Sequence, residues 1–219
     1  MKATVYNGNG SFSVIDKTTE DPAPDEVRIK VAYTGVCGTD VHIYHGMMDK
    51  RVAIPQTIGH EMSGTIDGVG ENVNDYSIGE KVVVRPLDDR LVKASDKGYN
   101  HICAGLKFIG IDSPGSMQQY WNVPAFVLHK LKPETDLKLA ALIEPLSVAV
   151  HDVKMSGLVP GETAVVLGGG PIGLLVALVA KNAGANVIIS EVNETRIKKA
   201  AEFGLQAVNP TKTDIVELV

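Results

Sequence analysis

The sequence predicts a mixed architecture: a β-rich, barrel-type domain over residues 1–150, followed over 151–219 by the first half of a parallel α/β domain. Three observations carry this. Val27, Ile29 and Val31 alternate with Arg28 and Lys30, the period of a strand with one buried face. Turn-forming residues recur through the first part (Pro22, Pro24, Gly46, Gly68, Gly70, Gly98, Gly110, Gly115), a spacing that suits short strands. After Leu158-Val159-Pro160-Gly161-Glu162 the pattern changes to strand, helix, strand, helix, strand, which is that of a parallel sheet.

The individual elements follow from local pattern. Val82-Val83-Val84 comes after Gly79-Glu80-Lys81, as a strand follows a turn. Thr163–Leu167 is apolar and β-branched, hence a strand, and Asn186–Ser190 is a second. Pro171–Asn182 is a strongly apolar helical run. Residues 194–203 are helical, with Ile197, Ala200 and Ala201 on one side. Ala207 and Val208 suggest a third strand, and 213–219 the start of another helix. A doubly wound domain has about six strands, and only one half is present, so the chain is expected to be a piece of a longer protein.

Bulk properties narrow the partners. With 219 residues, 44% of them hydrophobic, the chain can bury one large core or two small ones. A formal net charge of −5 gives no reason to expect nucleic acid or an anionic membrane; a small neutral or polar ligand fits better. Cys37 and Cys103 do not make a disulfide framework, so a reduced intracellular protein is expected. The N-terminus lacks an apolar signal region. The most apolar stretch, 164–180, is broken by glycines and is shorter than the ~20 residues of a membrane span. A soluble, cytoplasmic protein is therefore expected.

Gly168-Gly169-Gly170-Pro171-Ile172-Gly173 fits the G-x-G-x-x-G pattern, with a strand before it and a helix after. In such a turn Gly168 permits the tight bend, Gly170 lets backbone approach a pyrophosphate, and Gly173 lets the helix pack close. The pyrophosphate would sit at the helix N-terminus. Glu191 lies 18 residues beyond Gly173, where a carboxylate can accept from both ribose hydroxyls and repel a 2′-phosphate. NAD is thus expected over NADP. Arg196 lies over the adenine or faces solvent.

Three segments carry metal-type side chains: Gly35-Val36-Cys37-Gly38-Thr39-Asp40-Val41-His42, Gly59-His60-Glu61, and Ile143-Glu144-Pro145-Leu146. Together they offer a thiolate, an imidazole and two carboxylates. A catalytic zinc takes about three protein ligands and keeps one position open. The second segment extends through Met62-Ser63-Gly64 to Gly70 and Val73, the G-H-E-x2-G-x5-G-x2-V signature. On that signature, and on G-x-C-G-[ST]-D-x-H at 35–42, the chain resembles the zinc-containing medium-chain alcohol dehydrogenases over essentially its whole length. The run Ala140-Ala141-Leu142-Ile143-Glu144-Pro145-Leu146-Ser147-Val148-Ala149 is similar to the sorbitol (iditol), threonine and butanediol dehydrogenase branch.

The resemblance implies a GroES-like zinc-binding catalytic domain over 1–150 and a partial Rossmann NAD-binding domain over 151–219. It implies zinc at Cys37, His60 and Glu61, with Glu144 beside the metal as ligand or water anchor, and Asp40 hydrogen-bonding His60. It implies oxidation of a secondary alcohol of a polyol, diol or hydroxy-amino acid to a ketone, with hydride transfer to NAD. Thr39 would pass the alcohol proton to His42, which releases it. Tyr44 and Trp121 are candidate pocket walls or core residues. Many relatives carry a second, structural zinc on C-x2-C-x2-C-x7-C. Counting back from Cys103, the other three places hold Ser95, Val92 and Asp89, so one catalytic ion and no structural zinc is expected. The parent enzyme is expected to be a homo-oligomer. The rival class is a non-catalytic dinucleotide-binding protein or a degenerate fragment, the first distinguished by tight NADH binding without turnover, the second by folded protein that does not bind NADH. A zinc-free reductase of the same superfamily would lack the Cys37, His60 and Glu61 set.

Overall fold

The computed structural model of the protein describes residues 1–90 and 100–219. The chain divides into two compact units, Met1–Glu144 and Pro145–Val219. The division falls just inside the helix that begins at Ile143.

The first unit is β-rich. Strands β1 (Lys2–Gly8) and β2 (Ser11–Asp16) form a hairpin whose turn, Gly8-Asn9-Gly10, has positive φ at all three residues. They are followed by β3 (Glu26–Thr34), the short helix α1 (Gly38–Tyr44), β4 (Met62–Val69), β5 (Lys81–Val84), β6 (Leu87–Asp88), β7 (Lys107–Phe108), β8 (Tyr120–Pro124), β9 (Leu128–Lys130) and α2 (Leu137–Ala140). Five of these strands make one antiparallel sheet in the order β8-β3-β4-β5-β9. The predicted alternation in β3 is seen: Val27 and Ile29 are fully buried while Arg28 and Lys30 turn outward. They pack with Met62, Ile66, Val82 and Trp121 into the main core of this unit. Trp121 is a core residue, 2% exposed, its indole N–H donating to the Pro114 carbonyl at 3.0 Å.

A second cluster (Tyr6, Ile43, Val52, Ile58, Ile111) matters more for the site, because Ile43 belongs to α1. A seven-residue helix has little stability alone. Burying Ile43 contributes roughly 2 kcal/mol and fixes α1, and with it Cys37, against the hairpin.

The second unit opens with the remainder of α3 (Ile143–Ser156) and continues β10 (Thr163–Leu167), α4 (Pro171–Asn182), β11 (Asn186–Ser190), α5 (Glu194–Glu202) and β12 (Gln206–Val208). The sheet is parallel, in the order β10-β11-β12, as the strand–helix alternation predicts. Ala177 of α4, Ile189 of β11, Ala200 of α5 and Leu205 form its core. Pro171 stands at the first helical position of α4, where its missing N–H costs nothing. The Asn193 side chain caps α5 by accepting from the Thr195 and Arg196 N–H groups.

The helix expected over 213–219 is not formed. One 3-10 turn, Val216–Leu218, takes its place, with the Asp214 carboxylate accepting the Val216 N–H at 2.9 Å. Thr213, Ile215 and Val216 are β-branched, and so short a run cannot offset the cost of nucleating an α-helix. Among the described residues no helix is long and apolar enough to cross a membrane.

Candidate functional site

In the first unit, backbone pairing brings two of the three metal-type segments together. The Gly35 N–H donates to the Glu61 carbonyl at 2.6 Å, tying the approach to α1 to the segment that carries His60 and Glu61. On its other side that segment is held by Gly115, Ser116 and Met117, whose N–H groups donate to the carbonyls of Thr57, Gly59 and Ile58 at 2.8–3.0 Å. Gly59 has φ of +98°, a conformation that only glycine adopts without strain, and it turns His60 inward. Cys37 is the N-cap of α1, its carbonyl accepting from the Asp40 and Val41 N–H groups.

The result is that a sulfur of Cys37, a ring nitrogen of His60 and a carboxylate oxygen of Glu61 all lie within 4.8 Å of one another. His60 and Glu61 are buried and Cys37 is half-buried. Burial dominates the electrostatics. It pushes the Cys37 thiol up, against hydrogen bonds from Thr39 that favour the thiolate. It pushes the Glu61 carboxyl up, against a hydrogen bond from Cys37. It pushes His60 down to about 4, so the imidazole is neutral at physiological pH. Asp40 is pushed up to about 6 and Glu144 to about 7, first by burial and then by the Glu61 charge. Glu144 therefore feels Glu61, although the 4.8 Å cluster consists of Cys37, His60 and Glu61.

This donor set fits a zinc ion. Thiolate, neutral imidazole and carboxylate are its ordinary ligands. His60 Nδ1 is buried without a hydrogen-bond partner, and so is Asp40 Oδ1. Buried polar atoms are nearly always paired, so these two mark a place where a further group belongs.

Asp40 does not hydrogen-bond His60, contrary to what the resemblance implies. Its Oδ2 accepts the Cys37 backbone N–H at 2.8 Å, closing the first turn of α1 as a local cap. Thr39, on α1, is half-buried beside Cys37, and His42, three residues on, is exposed. Tyr44 is 48% exposed and stacks on Phe12 with ring centroids 6.2 Å apart. Of the four positions considered for a second zinc, Asp89 pairs with Arg85 at 3.3 Å and Cys103 is a half-buried free thiol. Val92 and Ser95 lie outside the described residues, as do Gly98 and Tyr99.

Sequence reasoning missed the support of His60. The Phe108 ring stands edge-on to the imidazole, with centroids 5.0 Å apart and planes at 90°. The Phe108 N–H donates to Asp112 Oδ2 at 2.8 Å, and Asp112 makes a two-point pair with Arg51, both bonds 2.8 Å. No motif marks these residues; only the Gly110 turn beside them was visible.

In the second unit the glycine turn is built as its pattern demands. Gly168 has φ of +97°, its N–H donating to the Ser190 carbonyl at 2.8 Å. Gly170 caps α4, and a Cβ on Gly173 would overlap the Gly168 carbonyl oxygen. Ile172 is 40% exposed on the first turn of α4. Glu191 follows β11 and is buried. Its carboxylate accepts from the Asn193 and Gly169 N–H groups, both at 2.8 Å, which hold it below the usual carboxylate range; Arg196 pairs with it at 3.4 Å. Glu191 thus braces the glycine turn itself, a role the motif does not reveal.

Comparison with known proteins agrees with this architecture. The family model of the alcohol dehydrogenase GroES-like domain matches residues 23–133, and the chain belongs to that family. It is 54% identical to 2-dehydro-3-deoxy-L-galactonate 5-dehydrogenase of Pseudoalteromonas atlantica, over all of this chain and 64% of that protein. It is 39% identical to the sorbitol dehydrogenase of Halalkalibacterium halodurans, over all of this chain and 65% of that protein. Among solved structures, a protein from Sinorhizobium meliloti 1021 described as a zinc-binding dehydrogenase, bound to NADP, superposes with a TM-score of 0.93 at 33% identity, over all of this chain and 64% of that one. The chain thus spans about two thirds of the length of these relatives. Butanediol and threonine dehydrogenases are also among the relatives, as the resemblance implies.

Proposed function

We propose that the chain supplies the zinc site and the dinucleotide turn of an oxidoreductase that converts a secondary alcohol of a polyhydroxylated substrate to a ketone. The observation that carries this reading is the convergence of donor atoms of Cys37, His60 and Glu61 within 4.8 Å. Those three residues would hold zinc, with Glu144 close enough to sense the Glu61 charge. When bound, zinc supplies a Lewis acid that acidifies a hydroxyl, and NAD supplies the hydride acceptor.

The chain's own residues do the rest. Thr39, against Cys37 on the first turn of α1, takes the proton of the substrate hydroxyl. His42, one turn on and exposed, hands it to solvent. Gly168, Gly170 and Ile172 present the start of α4 to a pyrophosphate, and Gly173 lets α4 approach the turn. Glu191, with Arg196 beside it, receives the adenosine ribose and disfavours a 2′-phosphate, which makes NAD the cofactor. The relatives suggest the substrate class: a polyol, a vicinal diol, a hydroxy-amino acid or, from the 54% identical relative, a sugar acid.

Elemental analysis of the purified chain tests the first step. About one zinc per chain is expected, lost in Cys37→Ser; folded protein with none defeats the reading. A panel of 2-dehydro-3-deoxy-L-galactonate, sorbitol, 2,3-butanediol, threonine and ethanol, followed by NADH absorbance, tests the second. Activity on ethanol alone would remove the substrate class.

A further inference from the structure

The third donor of the cluster owes its position to a missing side chain. Glu61 is tied to Gly35 through the backbone, at 2.6 Å from the Gly35 N–H to the Glu61 carbonyl. The Glu61 side chain then folds back over residue 35. A Cβ built on Gly35 would overlap Glu61 Oε2 and stand 3.1 Å from its Cβ and 3.4 Å from its Cδ, and these are its three nearest heavy atoms. The backbone of Gly35 does not have a left-handed φ. Its lack of a side chain is therefore used for space and not for conformational freedom. The atoms closest to that space all belong to Glu61.

Resting on the metal centre proposed above, we infer that Gly35 is a positioning residue that makes Glu61 a metal donor. The empty cradle at residue 35 lets the carboxylate lie back toward the Cys37 sulfur and the His60 ring. A single methyl group there evicts the carboxylate while leaving every ligand in the sequence. The overlap is with the end of a flexible side chain, the approach to Glu61 Cβ asks for a small adjustment, and the Gly35 backbone suits alanine, so the fold is expected to hold. Gly38, three residues on, is the internal contrast: a Cβ there meets no heavy atom within 4 Å.

The test uses cobalt(II) as the probe on the metal-free chain, read by thiolate-to-cobalt absorption and by competition with a chelator. Gly35→Ala is expected to bind cobalt about 10–100-fold more weakly than wild type, the usual cost of disturbing a residue that orients a ligand. Its metal-free melting temperature should stay close to wild type, and Gly38→Ala should bind as wild type does. Glu61→Ala should be weakened too, and the double variant Gly35→Ala/Glu61→Ala should be no weaker than Glu61→Ala alone, since both act through one carboxylate. Additive losses, an equal loss in Gly38→Ala, or a loss of fold in Gly35→Ala would overturn the assignment. Wild-type chain that takes up no cobalt removes the proposed metal centre and this role with it. Wild-type uptake with unchanged affinity in Gly35→Ala removes the role of Gly35 alone.

Discussion

Replacing Glu144 by glutamine should stabilise the metal-free protein at neutral and alkaline pH, the gain fading as pH falls from 7 toward 4.5. Burial, reinforced by the Glu61 charge, raises the Glu144 carboxyl from 4.5 to about 7. Ionised Glu144 is therefore a penalty on the folded state, complete above pH 7 and relieved as pH falls through 7 toward 4.5, where folded and unfolded chains are both protonated. A shift of that size corresponds to about 3 kcal/mol at most. Glu144 also sits in the first turn of α3, where an anion gains ~0.3–1 kcal/mol from the helix dipole. The penalty is the larger, so Glu144→Gln should gain about 2 kcal/mol at pH 8.5 and almost nothing at pH 4.5. His60 works in the opposite sense. Its pKa, lowered to about 4, contributes stability that is present above 6.5 and lost as pH falls through 6.5 to 4. Because both proteins share His60, it cancels in the difference between them. Urea unfolding in the presence of a chelator, followed by fluorescence of Trp121, reads this directly, since the sole tryptophan is buried in the core of the same unit. Saturating zinc should abolish or reverse the gain, because a nearby cation favours the ionised carboxylate. A difference of zero at pH 8.5, or one that does not vary with pH, would refute the reasoning.

Three further outcomes follow from the geometry. Gly173→Ala places a methyl group on the Gly168 carbonyl and should cost about 1–3 kcal/mol in the second unit and weaken NADH binding, measured by thermal melting and NADH fluorescence; an unchanged dissociation constant would contradict the packing. Glu191→Gln keeps the shape but not the charge of the carboxylate bonded to Gly169 and Asn193, so the ratio of NADPH to NADH dissociation constants should fall about tenfold, an equivalent of roughly 1.4 kcal/mol; a constant ratio would place cofactor choice elsewhere. Arg51→Ala removes a two-point, partly exposed ion pair worth ~1 kcal/mol or less, yet by freeing Asp112 and Phe108 it should loosen His60 and lower zinc affinity several-fold in chelator competition. Unaltered zinc affinity would show that Phe108 keeps its place without the pair.

The parts legible in the sequence are those where the determining interactions are local. The end of β10 and the start of α4 fall where expected because glycine and proline stand there: Gly168 turns at positive φ, Gly170 caps and Pro171 starts the helix. The residues of the candidate metal centre were legible by type, since thiol, imidazole and carboxylate are rare enough together to stand out. Their supports were not. Asp40 has two possible partners, and the near one is the one made: Oδ2 takes the N-cap bond three residues back, which orders almost no chain, while Oδ1 is left without a partner. Phe108, Asp112 and Arg51 act across separations of 48 to 61 residues, and nothing in a phenylalanine or a surface ion pair announces that it borders a histidine. The same holds for the distinction between the two glutamates. Each lies within a metal-type segment, and the fold shows that the Glu61 carbonyl accepts from the Gly35 N–H on the approach to Cys37 while Glu144 meets the cluster as a neighbouring charge. Chemistry confined to a side chain can be read from its identity, whereas placement depends on what other segments leave room for. Gly35 joins the two, since it contributes to the centre only by the volume it does not occupy.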